Sequence, residues 1–161
     1  MQEITIEAYH LDLSGLSASD IKLLYRSPAH YREAKKNPPE QTPAMRLGSA
    51  VHMAILEPAK FLEKYTAIDD ADICTKIGGS KPRATNAYKE WKAGFILDNP
   101  GKELLDMNDF NGAVEIARIV REHPIAGALL AEPGTAEETM QWMHEETGTL
   151  LKCRPDWLTE S

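Results

Sequence analysis

Apolar positions recur at helical spacing through most of the chain and change to strand-like alternation near its end. Ser19 can cap a helix carrying Ile21, Leu23 and Leu24 that ends at Ser27-Pro28. Ser27 can then cap a second helix with Pro28 at its first position, where the missing N–H costs nothing. Asn37-Pro38-Pro39 breaks the chain, and Thr42-Pro43 repeats the cap-plus-proline start of a helix expected to reach Leu56 before Glu57-Pro58 stops it. On that helix Leu47, Val51 and Ile55 share one face, while His52 projects from an adjacent face near Gly48, Ser49 and Leu56. Ala44, Gly48, Ser49, Ala50 and Ala54 are small, and a mid-helix glycine costs about 1 kcal/mol relative to alanine. A close approach by some neighbour is therefore expected at Gly48.

Residues 66 to 83, with Gly78-Gly79-Ser80-Lys81-Pro82, read as an irregular exposed connection, and this glycine run lacks the spacing of a phosphate-binding loop. Residues 84 to 97 read as a helix with Tyr88, Trp91 and Phe95 on one side, suited to core packing first and to base stacking second. Asp106 or Asn108 can cap a helix through Val114, Ala117, Ile119 and Val120 to His123-Pro124, followed by a short apolar helix through Leu129-Leu130. Residues 135 to 144 and 149 to 157 then form two strand-like runs joined around Glu145-Glu146-Thr147-Gly148, with Gly148 suited to the φ > 0 position of a hairpin turn. A single domain over residues 1–161 is expected, with no internal repeat.

Composition narrows the chemistry. Cys74 and Cys153 lie far apart without zinc-ligand spacing, so neither a disulfide framework nor a zinc site is expected, and a cytoplasmic location fits best. No segment approaches the roughly 20 apolar residues that span a bilayer. The net charge of −7 sits in the last third: residues 1 to 101 hold 13 Lys/Arg against 13 Asp/Glu, and residues 102 to 161 hold 5 against 12. Such a chain is no generally basic nucleic-acid binder, although carboxylates that hold divalent cations reverse the local sign toward phosphate.

On the expected hairpin, Glu137, Thr139, Gln141 and Met143 share one face of the first strand, and Lys152, Arg154 and Asp156 share one face of the second. Pattern alone does not set the register. If Glu137 and Asp156 point the same way and the His52 helix packs there, the result is a His/Glu/Asp group suited to Mg²⁺ or, because of the imidazole, Mn²⁺. Phosphodiester hydrolysis needs such an ion, and its natural setting adds a second carboxylate and a lysine two residues on. After Asp156 no Asp-x-Lys or Glu-x-Lys follows, so an incomplete site is expected.

Five segments carry a resemblance: Leu16-Ser17-Ala18-Ser19-Asp20-Ile21, Ser27-Pro28-Ala29-His30-Tyr31-Arg32, residues 42–52 ending in Gly48-Ser49-Ala50-Val51-His52, Gly134-Thr135-Ala136-Glu137, and Leu150-Leu151-Lys152-Cys153-Arg154-Pro155-Asp156-Trp157. Together they resemble the exonuclease VIII (RecE-type) nuclease domain of the PD-(D/E)XK superfamily. The resemblance implies an α/β (α+β), restriction-endonuclease-like core, here with N-terminal helices, a β-hairpin and an incomplete sheet. It implies a metal-dependent 5′-to-3′ exonuclease acting on linear double-stranded DNA in phage-type recombination, with a single-strand annealing partner and ring-like homo-oligomers. By the same resemblance His52, Glu137 and Asp156 are metal ligands, and Glu137 and Asp156 belong to the catalytic group. The alternative is an inactive prophage remnant that keeps DNA binding or protein assembly, and a third reading is an interaction protein using an acidic helical surface.

Blander roles remain for other candidates. His10, His30, His123 and His144 suit surface, cap or turn positions; Lys152 and Arg154 suit either a phosphate backbone or solvent; Cys153 suits a small buried position. Leu150, Leu151 and Trp157 are expected on a strand lacking a neighbour, which exposes an edge and apolar surface. Self-association or marginal stability should follow, and a monodisperse monomer with a sharp, high melting transition in light scattering and calorimetry would contradict it.

Overall fold

A computed structural model describes Tyr9, Asp12, residues 14–78 and residues 82–160. The chain runs through α1 (Ala18–Arg26), α2 (Pro28–Lys36), α3 (Pro43–Leu56), α4 (Pro58–Lys64), β1 (Tyr65–Ile68) and α5 (Asp70–Ile77). A 3₁₀ turn at Pro82–Ala84 precedes α6 (Asn86–Asp98), β2 (Glu103–Asp106), α7 (Met107–Glu122) and α8 (Ala126–Ala131). The last segment holds β3 (Gly134–Ala136), β4 (Met140–His144), β5 (Thr149–Cys153) and β6 (Trp157–Thr159). Two compact units result, one from residues 42–131 and one that joins residues 1–41 to 132–161.

In the unit of residues 42–131, α3 starts as its sequence dictates, with Thr42 Oγ1 accepting from the Met45 amide at 3.2 Å. Its deeply buried residues are Ala50, Ala54 and Leu56, while Val51 and Ile55 pack at the margin of the core. Ala50 and Ala54 share this core with Ala113 and Ala117 of α7, the helix against which α3 lies. Small residues on both helices bring the backbones close, and the bulk comes from Phe61, Tyr65 and Leu105. Phe61 stacks at 5.3 Å from Tyr65 and 5.0 Å from Phe110, ring to ring. Arg121 reaches from α7 to donate to the Ile55 carbonyl at 2.9 Å, satisfying an acceptor that the end of α3 leaves open. The close approach expected at Gly48 is absent: a Cβ there would meet no atom within 4 Å.

Residues 66 to 83 depart from the irregular connection expected of them. β1 pairs in parallel with β2, from Tyr65↔Glu103 to Ile68↔Asp106, and α5 follows directly. Asp69 caps α5 by accepting from the Asp72 amide at 2.7 Å, and Asp106 caps α7 by accepting from the Asn108 amide at 2.9 Å. Arg83 ties these strand ends together, donating to the Ile68 carbonyl at 3.2 Å and pairing with Asp106 at 2.9 Å and with Asp70. Four-residue strands are too short to show a period, so the Asp69 cap was the readable signal there.

In the other unit, α1 is capped by Ser17 rather than Ser19. Only Ser17 has an acid three positions on, and the reciprocal capping box forms: the Asp20 amide donates to Ser17 Oγ, and Asp20 accepts from the Ser17 amide at 2.9 Å. Asp20 is 4 % exposed and pairs with Lys35 at 2.9 Å. Burial alone would raise the Asp20 carboxyl, but the hydrogen bonds from Lys35 and Ser17 outweigh it and hold the carboxyl below the usual aspartate range.

The expected long hairpin divides into two ladders. β4 and β5 pair antiparallel from Met140↔Cys153 to His144↔Thr149 around Gly148, whose φ of 63° confirms the turn position. β3 and β6 pair separately from Gly134↔Thr159 to Ala136↔Trp157. The edge expected to be bare on β5 is engaged by Leu16, which donates to the Leu150 carbonyl at 2.9 Å and accepts from the Lys152 amide at 3.0 Å. The strongly exposed strand residues are instead Met140, Trp142 and Met143 of β4.

Removing the Asp20 carboxylate leaves Lys35 without its partner and breaks the capping box, so Asp20→Ala should lose about 2 kcal/mol at neutral pH by urea denaturation. The folded-state pKa of Asp20 is depressed, so its contribution is present above the unfolded value of about 3.9 and fades as pH falls through the folded value. The difference between the wild type and Asp20→Ala should therefore shrink below about pH 4.

Candidate metal-binding site

The short β3–β6 ladder ends at Ala136↔Trp157, and the next residue outward on each strand is an acid. The Glu137 amide donates to the Asp156 carbonyl at 3.3 Å, which fixes the two backbones one step beyond the last rung. Glu137 adopts φ 57°, the one left-handed non-glycine conformation among the described residues. A β-carbon makes that conformation costly, and such strain concentrates at functional positions. The carboxylates of Glu137 and Asp156 present oxygens within 4.8 Å of each other. Glu137 is half-buried and Asp156 exposed.

This placement differs from the expected one. Glu137 is not in register with Gln141 and Met143 on one strand face, because residues 137–139 lie between β3 and β4. Asp156 is likewise separated from Lys152 by the break between β5 and β6. The left-handed turn at Glu137, invisible to a period-two pattern, brings the acids together.

The two cations before Asp156 have separate fates. The Lys152 side chain is 1 % exposed. Its ammonium donates to the carbonyls of Tyr9 at 2.7 Å and Asp12 at 2.6 Å, and lies 4.7 Å from the centre of the Tyr9 ring. Neither solvent nor a phosphate backbone is its partner. Asp12 lies 3.3 Å from the same ammonium, and hydrogen bonds from Ser14 first, then from Lys152, bring its carboxyl down to about 2. Arg154 turns to the acids: its Nε lies 2.8 Å from Glu137 Oε2, with the Arg154 side chain 12 % exposed and its guanidinium 5.9 Å from the Tyr9 ring centre. Sequence reasoning missed this pairing, since it placed Arg154 and Glu137 on separate strands of unknown register. The only sequence signal was the adjacency of Arg154 to Pro155-Asp156.

His52 belongs to the unit of residues 42–131, half-buried midway along α3. Its own helix offers room, since the Cβ direction of Gly48 one turn earlier is open. Three other histidines hold local structure. His30 Nδ1 bonds the Ser27 hydroxyl at 2.7 Å, His123 Nδ1 accepts from the Ala126 amide at 3.2 Å, and His144 Nδ1 bonds Thr147 at 3.0 Å in the hairpin turn. His10 lies outside the described residues.

Like charges held this close repel, and Arg154 offsets one of them. A hard divalent cation would offset both, and carboxylate oxygens are the donors it prefers. An α+β chain with short strand pairs and acids at a strand end has the features of the PD-(D/E)XK nuclease superfamily. Residues 17–161 match the family model of a PDDEXK-like domain of unknown function (DUF3799), and the chain belongs to that family. No curated protein matches the sequence. Among the described residues, no helix is long and apolar enough to cross a membrane.

The backbone cost at Glu137 is separable from its charge. Glu137→Gly and Glu137→Ala both lose the ion pair, but only glycine relieves the left-handed conformation, so Glu137→Gly should be more stable than Glu137→Ala by about 1 kcal/mol in urea melts.

Proposed function

We propose that this chain is a metal-dependent nuclease domain acting on linear double-stranded DNA, with His52, Glu137 and Asp156 holding one Mg²⁺ or Mn²⁺ ion. The observation that carries the reading is the Glu137–Asp156 pair, held at a ladder end by a backbone hydrogen bond and a strained turn. Family membership supports nuclease chemistry, and the resemblance to RecE-type exonucleases supports 5′-to-3′ digestion, a single-strand annealing partner and homo-oligomers. A divalent cation bound there lowers the pKa of a water and offsets charge building on the phosphate. The chain's own contribution is to aim two carboxylates and an imidazole and to place the Arg154 guanidinium beside them.

One observation favours a second reading, a protein that binds DNA or assembles without cutting. Lys152, the lysine on the strand leading toward Asp156, has its amine sequestered by Tyr9 and Asp12 and is not placed to orient a water. The two readings separate in an assay of end-labelled linear duplex DNA with Mg²⁺ or Mn²⁺, run beside direct Mn²⁺ binding. Cleavage that falls at least a hundredfold in both His52→Ala and Asp156→Ala supports the nuclease. Mn²⁺ binding without cleavage by folded protein supports the second reading. A wild-type protein that binds no divalent cation sinks the shared site.

A further inference from the structure

Arg154 is a buried charge whose partner would change its own allegiance. We propose that Arg154 is a ligand for a DNA phosphate beside the metal position, an inference that rests on the nuclease reading above. The guanidinium pairs with Glu137 at 2.8 Å, and Glu137 shares its corner with Asp156. Counting formal charges, the two carboxylates and the guanidinium leave one negative charge in excess. A divalent cation held by the carboxylates reverses this to one positive charge in excess, carried on a side chain only 12 % exposed.

A guanidinium so far removed from water is costly to leave without a counter-ion. A phosphodiester carries the single negative charge that restores balance, and its oxygens match the planar fork of arginine. The Tyr9 ring, 5.9 Å from the guanidinium, backs the side chain and limits how far it can swing. Lys152, on the same strand two residues earlier, is committed to the carbonyls of Tyr9 and Asp12 and does not compete for the phosphate.

The experiment uses the full chain with Ca²⁺ in place of Mg²⁺, measuring binding of a linear duplex across a salt series, with Mn²⁺ binding followed separately. Arg154→Gln should bind the duplex about tenfold more weakly and lower the slope of log affinity against log salt by about one, while Mn²⁺ affinity stays within about threefold of wild type. Arg154→Lys, which keeps the charge and should fold if the glutamine variant does not, should keep the slope but lose severalfold in affinity because the fork is gone. Two results overturn the assignment. An unchanged slope and affinity in Arg154→Gln would show that no phosphate is contacted. Loss of Mn²⁺ binding in Arg154→Gln would show that the arginine serves only to hold Glu137. For Arg154→Lys, wild-type affinity at every salt concentration would also overturn it. Wild-type protein that binds Mn²⁺ but no DNA removes the nuclease reading and this role together, whereas wild-type binding insensitive to Arg154 removes this role alone.

Discussion

Gly134 can face Thr159 across the short ladder because it has no side chain. A β-carbon there would lie 2.5 Å from the Leu158 carbonyl oxygen and 2.9 Å from the Trp157 indole nitrogen. Those contacts are closer than atoms tolerate, so any other residue would push β3 away from β6. The consequence reaches two residues past the glycine on one strand and one residue back on the other. Once Ala136 is opposite Trp157, the Glu137 amide falls on the Asp156 carbonyl, and a turn with positive φ is the conformation the chain adopts in leaving the ladder. A three-rung pairing thus does what long strands do in larger sheets, which is to fix two side chains relative to each other.

Electrostatics then decides what those side chains need. Lys152 and Arg154 are two residues apart and both lie over Tyr9, yet one is spent on main-chain carbonyls and the other on a carboxylate. The difference follows from their chemistry. A compact ammonium with three donors suits a cage of carbonyl oxygens, whereas a planar guanidinium suits a carboxylate or phosphate. Lys152 therefore fastens residues 9 and 12 to the hairpin as structure, and Arg154 remains the positive group at the acids.

Much of the helical part was legible because its signals are local. Ser27-Pro28, Thr42-Pro43 and Asp106 mark helix starts that the structure keeps, and Gly148 marks the turn. Ser17 was read two residues late because both serines precede the same apolar run, and only the reciprocal bond with Asp20 separates them. β1 and α5 were missed for want of length. The carboxylate pair was legible as residues but not as geometry: Glu137 and Asp156 were candidates by resemblance, while the turn that joins them breaks the alternation from which a strand is read. Arg154 was the least legible, since its partner is set by a register that no sequence pattern states.

The presentation of His52 follows from an interface it does not touch. Successive residues on an α-helix are rotated by about 100°, so a residue two positions away lies about 200° round the axis. His52 is two positions after Ala50 and two before Ala54, the alanines that α3 buries with Ala113 and Ala117. Burying that alanine stripe turns His52 to the opposite side of the helix, away from the core of its own unit. Gly48 and Ser49, four and three positions earlier, are its neighbours on that side and are both small. The glycine is therefore explained by what it leaves open rather than by what approaches it. An imidazole aimed away from its own core, over a flank kept clear at some cost in helix stability, is placed for a ligand rather than for packing.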